Sequence, residues 1–182
     1  MTLEELYWKT RFEENDIHEH LPTLKKLAEG KFCVVELGLR GGNSTVGLLM
    51  GKPELLISID LKVSPDVVNK IEEVCPETCL FRTLQEDSLL IKPIPCNVLF
   101  IDTYHTMSQL FYELERHESV VRETIAIHDT ETFAECGEDP GSQGRGLRHA
   151  IELFLQRNPQ WYQFSHNPRC HGLTILKRVD IL

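Results

Sequence analysis

Nowhere does this sequence hold an apolar run approaching the roughly 18 residues that a membrane-spanning helix needs. It is also short of positive charge. Nineteen Lys and Arg stand against 28 Asp and Glu, a formal net charge of -9, which disfavours sequence-independent attraction to a nucleic-acid backbone or an anionic membrane. The expected partner is a small-molecule acceptor, with no nucleic acid and no membrane; homo-oligomerisation stays open. The opening MTLEELYWKT carries acids where a secretion leader carries basic residues, so the expected location is cytoplasmic.

Several catalytic signatures are missing as well. There is no H-E-x-x-H helix, no G-x-S-x-G elbow and no Walker loop, and His18, His20, His117, His149, His166 and His171 are scattered along the chain. Six cysteines are present, but a core-rich chain without a leader does not need disulfides. Cys75 and Cys79 lack a second Cys or His pair at zinc spacing, so free thiols are expected.

What is present is an alternation of elements. With 182 residues, 41% of them hydrophobic and 26% charged, the chain suits one globular domain, residues 1–182, in which N-terminal helices within 1–30 precede the core. Helices are expected at 2–14 and 20–29. The β-branched run Phe32–Leu37 then meets a cluster of Gly38, Gly41 and Gly42. A helix at 44–50, a strand at 55–60 and a helix at 64–74 follow, then strands near 79–83, 97–102 and 124–128, with an amphipathic helix at 106–121 between the last two. Apolar strands alternating with helices imply a largely parallel sheet covered on both faces, a Rossmann-like α/β three-layer sandwich. After a polar stretch at 131–146, readable as a lid or as a disordered loop, a helix near 147–157 leads to strands at 161–166 and 172–177. The five residues between those strands are too few for a parallel crossover, so the pair is expected to form an antiparallel hairpin.

The segment Glu36-Leu37-Gly38-Leu39-Arg40-Gly41-Gly42-Asn43-Ser44-Thr45 places glycines between a buried strand and a helix start, where a ligand can approach the backbone closely, or where the turn serves only to pack the helix against its strand. Asp60 ends the next strand, 22 residues after Gly38, a position from which a carboxylate accepts bonds from both ribose hydroxyls. A dinucleotide fingerprint would need glycine where Arg40 and Asn43 stand. The pattern suits adenosine without a pyrophosphate.

These motifs, with Glu86-Asp87-Ser88, Phe100-Ile101-Asp102-Thr103-Tyr104-His105, Ile127-His128-Asp129-Thr130 and Gly172–Leu176, resemble class I S-adenosylmethionine-dependent methyltransferases, and more narrowly the small O-methyltransferases and cephalosporin-hydroxylase-like proteins. The resemblance spans about residues 15–178. It implies a seven-stranded sheet and S-adenosylmethionine as cofactor. Gly38 and its turn, with Gly41, Asn43 and Ser44, would meet the methionine part, Asp60 the ribose, and Asp87 with Ser88 the adenine. Glu36 either orients the turn, bonded to backbone amides, or touches the cofactor.

A second constellation lies at the ends of two strands that this fold makes neighbours. Asp102, His128 and Asp129 converge there as candidate ligands of a divalent cation, magnesium or manganese, which would lower the pKa of a substrate hydroxyl. His128 stands where metal-dependent members often carry an acid, and a nitrogen ligand favours manganese, iron or zinc over magnesium. Successive strand residues point to opposite faces, so His128 and Asp129 both reach an ion only if the strand has broken by then. Alternatively Asp129 caps the next turn and His128 is a satisfied strand-end histidine. His105, Asp102 and His128 are the candidate catalytic groups, with His105 a candidate base or a helix-orienting residue. The implied activity is O-methylation of a small hydroxylated molecule. A non-catalytic S-adenosylmethionine- or nucleoside-binding module and a nicotinamide-dependent oxidoreductase are the competing readings.

Overall fold

A computed structural model describes residues 1–139 and 145–179. Its elements, in chain order, are α1 (Leu3–Phe12), a 3-10 turn at His18–His20, α2 (Leu21–Ala28), β1 (Cys33–Leu37), α3 (Asn43–Met50), β2 (Leu55–Asp60), α4 (Pro65–Glu72), β3 (Leu80–Gln85), β4 (Cys96–Ile101), α5 (Met107–His117), β5 (Val121–His128), α6 (Leu147–Arg157), β6 (Trp161–Asn167) and β7 (Leu173–Arg178). Thr2 and Glu5 close a reciprocal capping box at the start of α1, and Pro22 and Pro65 sit in the first turns of α2 and α4, where no amide donor is missed.

Seven strands form one sheet in the order β3-β2-β1-β4-β5-β7-β6. The first five run parallel. β7 pairs antiparallel with both β5 and β6, so the expected hairpin exists, and its second strand is inserted between β5 and its first. Side chains alternate across the sheet as the period of two requires. Val34, Leu56, Val98 and Phe100 pack with Leu6, Leu24, Leu48 and Ile71 of α1 to α4 on one face. Val35, Leu99, Ile125 and Leu176 pack with Leu114 and Phe154 of α5 and α6 on the other. Two helical layers thus cover the parallel strands. No helix among the described residues is long and apolar enough to cross a membrane.

Two boundaries differ from the sequence reading by three residues or more. The helix expected to reach 121 ends at His117; Glu118–Val120 form a 3-10 turn and β5 starts at Val121, three residues earlier than expected. The charged pair Arg122-Glu123 reads as loop, but Cys96 pairs with Val121, and Lys31 forms an ion pair with Glu123. Tertiary pairing overrides local polarity here. The stretch at 131–146 is described through Asp139, and Glu138 is docked rather than free: its amide donates to the His105 carbonyl at 2.8 Å. Whether the remainder is a lid falls partly on Pro140–Gly144, outside the described residues.

Candidate functional site

Strand order reverses between β1 and β4, and the two loops leaving their C-terminal ends face one crevice. Gly38, at φ 96°, begins the first loop; Arg40 and Gly42 also take left-handed backbone, at φ 43° and 76°. This sharp turn is pinned from β2. Asp60 Oδ2 accepts the amides of Leu39 (2.8 Å) and Arg40 (2.9 Å), and Oδ1 accepts that of Lys62 (3.0 Å). A carboxylate offers about four lone-pair sites. Three are thus filled by the chain's own amides.

Glu36 lies behind the turn with no exposed surface. It accepts hydroxyls from Ser44 (2.6 Å), Thr45 (2.8 Å) and Ser58, so its partners are side-chain hydroxyls, neither backbone amides nor an open cleft. Burial pushes its carboxyl up to about 7, and the three donated hydrogen bonds only partly oppose that shift. Ser44 lines the crevice, yet its hydroxyl is turned to Glu36.

The crevice has two adjoining parts. A cleft of about 320 Å³ is lined by Gly38, Gly41, Asn43, Ser44 and Asp102, with Asn15 and Asp16 from the N-terminal segment. A larger one of about 660 Å³ is lined by Asp60, Asp87, Ser88, Asp102 and His105. Both include Gly38, Arg40 and Asp102. The glycine turn and Asp60 therefore share this space with Asp102 and His105, whereas His128 and Asp129 are buried and line neither part.

Ser88 donates to the buried Glu113 at 2.6 Å, which also accepts from Thr103 (2.8 Å) and Gln109 (2.9 Å). His117 Nε2 bonds the Ser88 carbonyl at 3.0 Å. This support was not singled out from sequence. Its signal was there: Gln109, Glu113 and His117 recur every four residues along α5, one polar stripe on a helix face.

At the second constellation, β5 ends at His128 and Asp129 takes φ 59°. The break required for both side chains to face one point is present. His128 Nδ1 lies 3.5 Å from Asp102 Oδ2 and 3.4 Å from Asp129 Oδ2. His105 Nε2 lies 2.9 Å from Asp129 Oδ2 and 3.4 Å from Asp102 Oδ1, while its Nδ1 meets Glu138 Oε2 at 3.0 Å. Phe133 stacks on the His105 ring, 4.6 Å between centroids. Burial works to lower both imidazoles, but the paired carboxylates outweigh it and raise each to about 10. Burial works to raise Asp102 and Asp129, and the histidines in turn hold both below the usual carboxylate range. The donor network that two converging acids need is built into the chain.

The same group fits a cation. One ligand atom each from Asp102, His128 and Asp129 lies within 4.8 Å of the others. His128 Nδ1 is fully buried and has no hydrogen bond of good geometry, although it faces both carboxylates. Its Nε2 bonds the Cys170 carbonyl at 3.1 Å, the kind of outer contact that fixes a ligating histidine's orientation. Two oxygens and a nitrogen form a reasonable divalent set.

No protein-family model matches the chain, and no curated protein sequence does. Solved structures do. An O-methyltransferase from Bacillus cereus in complex with SAH aligns over 97% of this chain and 89% of its own at 19% identity, TM-score 0.66. The O-methyltransferase TomG from Streptomyces achromogenes, involved in tomaymycin synthesis and in complex with SAM, aligns over 98% and 96% at 14% identity, TM-score 0.65. An SAH-bound methyltransferase from Podospora anserina aligns over 98% and 88% at 15% identity, TM-score 0.63. With its parallel strands, its topological switch between β1 and β4 and its inserted antiparallel β7, the chain has the Rossmann-like methyltransferase fold.

Proposed function

We propose that this protein transfers the methyl group of S-adenosylmethionine to a hydroxyl of a small molecule, with a divalent cation held by Asp102, His128 and Asp129. The observation that carries this reading is that the glycine turn, Asp60, Asp102 and His105 line two adjoining clefts that share Gly38, Arg40 and Asp102, with the buried His128 and Asp129 meeting Asp102 and His105 at their wall. The Bacillus cereus and Streptomyces achromogenes proteins of this fold hold SAH and SAM. The adenosine would lie along Asp60, Asp87 and Ser88, and the methionine part along Gly38, Gly41, Asn43 and Ser44.

A sulfonium is an activated donor, so the protein's principal task is to place the acceptor oxygen in line with the methyl carbon. A bound cation would lower the pKa of the acceptor hydroxyl and fix its position. Asp102 stands where β4 meets the crevice and orients the acceptor relative to the turn at Gly38. His105, held by Glu138 on one nitrogen and by Asp129 on the other and raised to about 10 by its carboxylates, carries a proton on each nitrogen near neutral pH and must first give one up to serve as a base.

A cation-independent reading has one observation in its favour: His105 and His128 already balance the two acids. One experiment separates the readings. The purified chain is given labelled S-adenosylmethionine and a panel of catechols, sugars and phenols, with Mn²⁺ or with chelator. Transfer that needs Mn²⁺ and disappears in Asp102→Asn and Asp129→Asn supports the cation. Transfer undiminished by chelation removes it and leaves His105 as base, and SAH binding without transfer to any acceptor favours a non-catalytic module.

A further inference from the structure

The turn between β6 and β7 is unusual in its backbone. Cys170, His171 and Gly172 take left-handed conformations in succession, at φ 46°, 68° and 98°. Non-glycine residues hold such conformations only where the surroundings over-determine them, and here the surroundings do. Three successive carbonyls each accept two donors. Arg169 O takes His20 Nε2 (2.9 Å) and the Gly172 amide (2.9 Å). Cys170 O takes His20 Nε2 (3.1 Å) and His128 Nε2 (3.1 Å). His171 O takes the amides of Glu131 (2.9 Å) and Thr132 (3.1 Å), which come next after Asp129-Thr130 in the chain.

His20 is the distant member of this set. It lies about 150 residues from its acceptors, has no exposed surface, and meets the His128 ring edge-to-face with centroids 5.6 Å apart. Both of its Nε2 partners are carbonyls, which only accept, so Nε2 carries the hydrogen. Carbonyl partners impose the same on His128 Nε2. That orientation leaves His128 Nδ1 facing Asp102 and Asp129.

We propose that His20 is a positioning residue for the candidate cation site: by donating to the same Cys170 carbonyl and packing on the same ring, it fixes where His128 presents Nδ1. This rests on the proposed cation-assisted reading, and it adds a residue of the N-terminal segment to the support of the site. A carbonyl held by two imidazoles cannot follow one of them, so the His128 ring loses its freedom to tilt. Outer contacts of this kind change metal affinity by about 10–100-fold.

The test compares His20→Phe, which keeps ring packing and removes the donor, with His20→Gln, which restores a donor near the Nε2 position. Mn²⁺ affinity is read by electron paramagnetic resonance on the full chain, SAH affinity by calorimetry, and the His128 ring by ¹H–¹⁵N spectroscopy. The expected result is Mn²⁺ affinity lower by about tenfold or more in His20→Phe and largely recovered in His20→Gln, with SAH affinity unchanged in both. Wild-type Mn²⁺ affinity in a His20→Phe chain that still binds SAH overturns the proposal. If His20→Phe does not fold, His20→Asn, whose donor falls short of the carbonyls, takes its place with the same expectations. Should the wild-type chain bind no Mn²⁺, the cation reading falls by itself. The positioning role is then decided by the His128 ring signals, which must move in His20→Phe and return in His20→Gln; signals identical to wild type in both would overturn it.

Discussion

A Cβ atom built on Gly38 would stand 1.9 Å from the carbonyl oxygen of Asp102, so the turn that would face the cofactor and the loop that would face the acceptor are in backbone contact. Only glycine permits this approach at φ 96°. Gly38→Ala should therefore destabilise the chain by on the order of 3 kcal/mol, strain and clash together, and weaken SAH binding. Gly41 is the control. Nothing lies within 4 Å of its virtual Cβ, so Gly41→Ala should keep wild-type stability and lose SAH affinity only if the methionine part lies against it. Urea denaturation with calorimetry checks both; a Gly38→Ala chain as stable as wild type would refute the contact.

Asp60 has two tasks. It fastens the amides of Leu39 and Arg40, and in the proposed function its remaining lone pair would accept a ribose hydroxyl. Asp60→Ala should weaken SAH binding by roughly 1.5–3 kcal/mol, the range for hydrogen bonds to a charged group, and should also lower the melting temperature of the ligand-free chain. With cofactor analogues lacking either ribose hydroxyl, one deoxy analogue should lose affinity for the wild-type protein through Asp60, and the other should lose none through it. Equal dependence of both hydroxyls on Asp60 would show that the turn amides do not occupy the carboxylate.

Glu36 predicts a pH dependence. Its folded pKa of about 7 lies above the ordinary 4.5, so between these values the folded state binds more protons than the unfolded one. The stability this contributes is fully present below about 4.5 and is lost as pH rises through about 7, a change on the order of 3 kcal/mol. Glu36→Gln does not titrate. The difference in unfolding free energy between wild type and Glu36→Gln, measured from pH 4.5 to 8, should therefore shift against the wild type as pH rises, and a flat difference would mean that the carboxyl is not raised.

Much of the site was legible because its parts are local. Glu36, Gly38 and Ser44 lie in one decapeptide, Asp60 follows at the next strand end, and Asp102 and His128 end strands whose adjacency follows from the alternation of elements. The details that decide chemistry are not local. The left-handed Asp129 lies outside any sequence pattern, since aspartate adopts that conformation only in context. The three hydroxyls on Glu36 come from two elements, and the lone-pair count at Asp60 depends on how tightly the turn closes. His20 looked like one of several scattered histidines because its acceptors are backbone carbonyls, which every residue has.

The insertion of β7 between β5 and β6 sets an order of events during synthesis. β5 ends at His128, yet its neighbour β7 begins at Leu173. Until that strand leaves the ribosome, β5 has an unpaired edge and β6 nothing to join. The Cys170 carbonyl that His128 needs emerges only just before it. The residues of the glycine turn and Asp60 thus emerge more than 100 residues before the last backbone partner of the acid–histidine group, which makes that group the last part of the candidate site to be assembled.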